Sequence, residues 1–158
     1  ALDVTDIPLI VANNTGDGKT LYLACNAGAF YTKYGDEFVA KWMLELIDII
    51  LPTKQINVDA PSTVEITVWE QKELNRTIIH LANRTVDYSL ATNERQIREI
   101  IPVGNITLSI NKPYKNSKVE CRHADITVKD NSAVLQINVN KLDTYAAVII
   151  SSETATDQ

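Results

Sequence analysis

The stretch Ser62-Thr-Val-Glu-Ile-Thr-Val-Trp-Glu70 alternates strictly between apolar and polar positions. Val64, Ile66 and Val68 fall on one side, and Thr63, Glu65, Thr67 and Trp69 on the other. A period of two is that of a half-buried strand in an antiparallel sheet, whose successive side chains point to opposite faces. Further runs of this kind follow. They are Arg76 to Asn83, Ile97 to Val103, Asn105 to Ile110, Lys118 to Arg122, Ala124 to Val128, Ala133 to Val139 and Thr144 to Ser151. Turn-forming clusters separate them: Val103-Gly104-Asn105, Asn111-Lys-Pro113 and Lys129-Asp-Asn131. Short strands at this spacing predict a β-sandwich of about a hundred residues. The polar segment Val86 to Glu94 reads as a long loop.

Before Gln55 the pattern differs. Pro8 to Asn13 and Thr20 to Cys25 read as two strands joined by the turn-rich Asn14 to Lys19. Gly28 to Gly35 reads as a loop carrying Phe30, Tyr31 and Tyr34. Asp36 can cap a helix from Glu37 to about Leu51, which Pro52 stops. Its apolar residues Phe38, Val39, Trp42, Met43, Leu46, Ile47, Ile49 and Ile50 cover well over half the circumference. Such a helix is expected to be buried on more than one side. The fold class is therefore α+β and mainly β: a short hairpin and one helix over residues 1–53, then an antiparallel β-sandwich over 54–158. Two strands and one helix are too few to cover a sheet on both faces. The first part must dock on the sandwich or be the tail of a larger α/β domain.

Composition narrows the function. The 158 residues carry 15 Lys+Arg against 20 Asp+Glu, a net charge of −5. Such a chain lacks the basic field that neutralises phosphates, so neither nucleic acid nor an anionic membrane is an expected partner. The start has no basic and apolar leader pattern, and the most apolar stretch, Phe38 to Leu51, is interrupted by Lys41, Glu45 and Asp48. A soluble chain is expected, with its compartment open. Cys25 and Cys121 are expected to be free, buried thiols, because two cysteines do not make a disulfide framework.

Gly16-Asp-Gly-Lys-Thr20 has Asn13 where a phosphate loop needs glycine, and a strand follows where a helix would be required. It reads as a hairpin turn. Cys121 and His123 could share one face of a strand, but a metal site needs three or four ligands, so no metal and no cofactor are expected. His80, between Ile79 and Leu81, reads as a surface histidine of a strand. Glu65, Glu70 and Glu73 sit on or near one strand, and nothing singles out a catalytic pair among them. No catalytic residue is assigned. Trp69 and Tyr88 are the first candidates for stacking on a sugar ring; Tyr114 and Tyr145 are the remaining aromatics of the sandwich half. Asn-x-Thr sequons stand at Asn13, Asn75, Asn83 and Asn105.

Several of these segments together resemble a known arrangement. Pro8 to Asn13, Gly16-Asp-Gly-Lys-Thr-Leu-Tyr-Leu23, Phe30-Tyr-Thr-Lys-Tyr-Gly35 and the following helix resemble the end of a class I glutamine-amidotransferase-like domain. That domain follows the catalytic barrel in certain glycoside hydrolases, in the manner of the trimerisation domain of the beta-galactosidases. Val58 to Gln71 with its Ala-Pro-x-x-Val-Glu strand, Arg76 to Asn83 with its His-Leu-x-Asn and Ile101 to Leu108 with its Ile-Pro-Val turn resemble the C-terminal sandwich of those enzymes. The resemblance implies a C-terminal portion of a longer protein whose catalytic carboxylates lie in an upstream barrel. It transfers no catalytic role to any position, Cys25 included. The expected partners are upstream domains of a longer parent chain, a second copy in a homo-oligomer, or a carbohydrate. The expected role is a non-catalytic structural and interaction module. A carbohydrate-binding sandwich is the first alternative and a small stand-alone hydrolase the second.

Overall fold

A computed structural model describes residues 8–89, 96–111, 117–131 and 133–152. The fold is mainly β and its sheets are antiparallel. The chain divides into two compact units, Ala1–Lys54 and Gln55–Gln158.

In the first unit, β1 (Ile10–Thr15) and β2 (Gly18–Leu23) form an antiparallel hairpin, with Ile10 opposite Leu23 and Thr15 opposite Gly18. The loop is two residues, Gly16 and Asp17, not the six that the turn-rich composition suggested. Gly16 carries φ 59°, a left-handed backbone that suits glycine at the head of a tight hairpin. Lys19 and Thr20 lie inside β2, so no helix N-terminus is present to hold a phosphate there.

The expected aromatic loop is instead a helix, α1 (Ala27–Tyr34). Both of its ends are capped. Asn26 Oδ1 accepts the N–H of Ala29 at 3.1 Å, and Gly35, at φ 64°, donates its N–H to the carbonyl of Tyr31. These caps satisfy end groups that a short segment with weak helix formers would leave bare. Phe30 and Tyr34, one turn apart, bring their ring centroids to 4.7 Å.

The second helix, α2 (Glu37–Ile50), starts where the sequence placed it. Asp36 Oδ1 accepts from Phe38 N at 2.8 Å and Val39 N at 3.2 Å. Its burial differs from expectation, for no residue of α2 is buried. Val39, Ala40, Trp42, Met43 and Leu46 are half-buried, and α1 and β2 are elements that α2 contacts. Phe38, Leu44, Ile47, Ile49 and Ile50 are exposed, Phe38 at 78%. Two helices and a two-stranded ribbon have too little surface to cover an apolar helix. Among the described residues of this unit only Ala27 is a buried hydrophobe.

The second unit begins with β3 (Ile56–Asp59) and β4 (Val64–Gln71), then a single 3-10 turn (Lys72–Leu74) and β5 (Arg76–Asn83). A short ribbon follows, β6 (Val86–Ser89) with β7 (Gln96–Ile100). The chain continues through β8 (Val103–Asn111), β9 (Ser117–Arg122), β10 (Ile126–Asp130), β11 (Val134–Leu142) and β12 (Tyr145–Ser152). Two four-stranded sheets result, ordered β10-β11-β8-β3 and β4-β5-β12-β9. Their inner faces supply one apolar core. Ile106, Leu108, Leu135, Ile137 and Val139 come from the first sheet, and Ile79, Leu81, Val148 and Ile150 from the second. The arrangement is sandwich-like.

Three strand expectations need correction. Val86 to Ser89 is a strand and not loop, while residues 90–94 of that segment lie outside the described residues. The single strand from Ile97 to Val103 is two, broken at Ile101-Pro102: proline has no N–H to give a ladder and pushes its predecessor out of register. Val68 faces the core side of β4 yet is 47% exposed, because β4 is an edge strand and its inner face leaves the core after Ile66.

Asn83 holds the strand ends together. It is buried, and its Nδ2 donates to the carbonyls of Ile101 at 2.8 Å, Leu142 at 3.3 Å and Asp143 at 2.8 Å. Its Oδ1 accepts the N–H of Thr85 at 2.9 Å. One amide thus ties β5 to the break before β8 and to the β11–β12 turn. The same bonds commit the nitrogen that a glycan would need, so this sequon cannot be modified in the folded chain.

Asn83→Ala leaves these backbone groups without partners, and each such loss costs about 1–3 kcal/mol. The expected outcome is a loss of about 2–3 kcal/mol, seen as a fall in Tm of roughly 10–20 °C in a thermal melt of the chain. A second close approach gives an independent test. A Cβ on Gly104 would stand 2.8 Å from the carbonyl oxygen of Asn140. Gly104→Ala should therefore cost about 1–3 kcal/mol in the same assay.

Candidate functional site

The alternation that buries Ile79, Leu81, Val148 and Ile150 sends their neighbours outward. On the outer face of the β4-β5-β12-β9 sheet two cross-strand rows lie side by side. Trp69, Ile78, Ile149 and Glu120 form one; Thr67, His80, Ala147 and Arg122 form the other. A groove of about 290 Å³ opens on this face. Ala147 and the side chains of Ile78 and Ile149 line it along the sheet; Arg76, His80, Arg122, His123 and Tyr145 supply its polar walls.

The rings in this groove are held. Tyr145 Oη and His80 Nδ1 share a hydrogen bond of 2.5 Å, and the two rings stack at 5.9 Å between centroids. His123 lies tilted against Tyr145 at 6.2 Å. His123 follows the end of β9 with φ 68°, a left-handed conformation uncommon for a residue with a side chain. The Arg76 Nε donates to Gln71 Oε1. His80 is thus a strand-surface histidine with a partner, as its alternation implied.

The two stacking candidates occupy different sheets. Trp69 stands on the outer face at 60% exposure, opposite Ile78, and does not line the groove itself. Tyr88 belongs to the β6–β7 ribbon, its backbone opposite Ile97, and its side chain lies outside the described residues, as does Tyr114. The groove residues Arg76, Arg122, Ala147 and Ile149 were not singled out by sequence. Their convergence depends on the β5–β12–β9 register, which no local pattern states.

Cys121 and His123 do share a groove, a polar one of about 490 Å³ that Asp125 and Asp143 also line. Its chemistry is unsuited to a nucleophile. Burial pushes the Cys121 thiol up, against a lesser lowering by the Ala124 backbone hydrogen bond, and the Asp125 charge adds a small push upward. A reactive thiolate needs the opposite environment. Among the described residues no group of three or more His, Cys, Asp and Glu side chains gathers as a metal would require.

Two of the strand carboxylates, Glu65 and Glu120, are ion-paired. Glu65 pairs with Arg84 at 2.8 Å. Lys118, at 2.7 Å, holds the Glu120 carboxyl below the usual range by its hydrogen bond and charge, with Arg122 adding a little. Both pairs are exposed and contribute little to stability.

Both cysteines are free, but they are not the buried thiols expected from sequence: Cys25 is exposed and Cys121 half-buried. Cys25 lines an apolar groove of about 540 Å³ in the first unit, with Ala27, Phe30, Phe38 and Trp42. A thiol reagent such as dithionitrobenzoate at pH 7.5 should release one equivalent quickly from Cys25 and the second at least tenfold more slowly from Cys121. Cys25→Ser identifies the fast phase. Equal rates would contradict the burial of Cys121.

No described helix is long and apolar enough to cross a membrane. No family model matches the sequence, and no curated protein matches it. Among solved structures, the chain is similar to alpha-L-fucosidase isoenzyme 2 from Paenibacillus thiaminolyticus, with a TM-score of 0.69 and 19% identity. The match covers 89% of this chain and 21% of the fucosidase chain. At that identity the likeness is one of fold, to a part of an enzyme about five times the matched length.

Proposed function

We propose that this chain is a non-catalytic structural and interaction module of a glycoside-hydrolase-like protein, packing against neighbouring domains or subunits. In this reading residues 1–53 are the C-terminal part of an amidotransferase-like α/β domain, and 54–158 an immunoglobulin-like antiparallel sandwich. The observation that carries it is α2. Fourteen residues form a helix without one buried side chain, while Phe38, Leu44, Ile47, Ile49 and Ile50 face outward. Helices of this length draw their stability from packing an apolar face, so such a face implies a partner. The fold likeness to one fifth of a fucosidase supports a larger protein as the setting. The exposed ion pairs of Glu65 and Glu120 and the raised Cys121 thiol favour a module that does no chemistry of its own.

The isolated chain should self-associate through this helix, because a second copy is the apolar surface at hand. Light scattering on a sizing column at about 100 µM should give at least twice the chain mass. Phe38→Glu with Ile47→Lys should return it to a monomer with an unchanged β-sheet circular dichroism spectrum. A monomer at high concentration in the unsubstituted chain would count against the reading.

One observation favours a second reading, a carbohydrate-binding module. Trp69 is 60% exposed on a sheet face, where an indole can stack on a sugar ring. If so, glycan-array binding by the chain should vanish on Trp69→Ala.

A further inference from the structure

Ala147 is the floor of the groove because of its place in the sheet. It pairs with His80 on one side and with Arg122 on the other. Neighbouring strands lie about 4.8 Å apart, so the backbones of His80 and Arg122 are roughly 10 Å apart with one methyl group between them. A larger residue at 147 would fill this space. The hollow therefore exists because the smallest side chain with a Cβ stands between an arginine and a histidine.

Arg76 and Arg122 carry the charge of the lining, His80, His123 and Tyr145 add polar ring and hydroxyl groups, and no carboxylate lines it among the described residues. Two acids of this sheet face are paired with other cations, Glu120 with Lys118 and Glu65 with Arg84, while Asp125 and Asp143 line the neighbouring groove that His123 shares. The Arg122 side chain makes no ion pair or hydrogen bond among the described residues, so its guanidinium keeps its full set of donors. The bond from Tyr145 orients the His80 ring, and the one to Gln71 orients Arg76. Guanidinium forks match the paired oxygens of oxyanions, and prior orientation lowers the entropy lost on binding. In the adjacent row, Trp69 stands opposite the groove residue Ile78.

We propose that this groove takes the acidic substituent, a carboxylate or a sulfate ester, of an anionic saccharide whose sugar rings extend toward Trp69. This rests on the carbohydrate reading and adds the class of sugar to it. The acidic oxygens sit over Ala147 between Arg122 and His80, with Arg76 adding positive field from one end and His123 a polar ring at the other. Tyr145 closes the His123 end of the hollow.

Calorimetric titration of the full chain at low salt tests it with three probes: trigalacturonic acid, a 6-sulfated galactose trisaccharide and neutral galactotriose. At least one acidic probe should bind about tenfold or more tightly than the neutral one, and 0.5 M sodium chloride should erase most of the difference. Arg122→Gln and Ala147→Leu should each reduce the acidic-over-neutral ratio to near one. The first removes an exposed charge and the second fills the hollow, so a folding defect in one does not spoil the other. Equal binding of all three probes overturns the proposal and leaves the carbohydrate reading standing. A preference for acid that survives both substitutions also overturns it. No binding by any probe removes both.

Discussion

The contact between the inner faces of two four-stranded sheets governs the second unit. Thirteen buried apolar residues meet there, with Ile79, Leu81, Ile106, Leu108 and Val148 fully enclosed. Burying one such side chain is worth about 1.5–3 kcal/mol relative to leaving it in water. A one-residue slip of β5 or β12 would turn its core residues outward, so the register is fixed strongly. Everything on the outer face inherits that register. Trp69, His80, Ala147 and Arg122 stand where they do because Val148 and Ile79 must point inward. Asn83 contributes in a different way. It gives fixed partners to backbone carbonyls at strand breaks, where the ladder itself cannot.

The first unit obeys the same physics with the opposite result. Its helices are well begun, by Asn26 and Asp36, and well ended, by Gly35 and by the stop at Pro52. Local signals therefore specify its secondary structure. Among its described residues there is no enclosed core: Ala27 is the one buried hydrophobe, and many larger apolar side chains are exposed. A segment with strong local order and an open apolar face has the character of an interface, and that contrast between the two units underlies the proposed role. The likeness to part of a fucosidase is one of fold and carries no information about chemistry.

Much of this architecture was legible in the residues themselves. The period-two stretches at Val64–Gln71, Arg76–Asn83 and Val134–Leu142 announced strands, and the alternation around His80 and Trp69 gave their outward direction. Where reading failed, a longer-range or subtler signal decided. α1 is eight residues with Gly28 and three aromatics, so its propensity is poor and its caps carry the decision. The break at Pro102 splits a run that looks continuous by hydropathy. β6 is too polar to be seen without its partner β7. The groove on the outer face was invisible for a geometric reason. Nothing local distinguishes Ala147 from Ala146, and only the pairing of β12 with both β5 and β9 sets His80 and Arg122 on its two sides. Tyr88 was a reasonable stacking candidate by type, but the ribbon that carries it is a different sheet from that of Trp69.

Amide hydrogen exchange on the isolated chain, followed at several protein concentrations, tests most directly whether one unit stands alone and the other needs a partner. The account predicts that amides of β5, β8, β11 and β12 exchange only through global unfolding at every concentration. Amides of α2 should exchange orders of magnitude faster in dilute solution and slow as concentration rises, because association covers the helix. Protection of α2 equal to that of β12 in dilute, monomeric chain would contradict it.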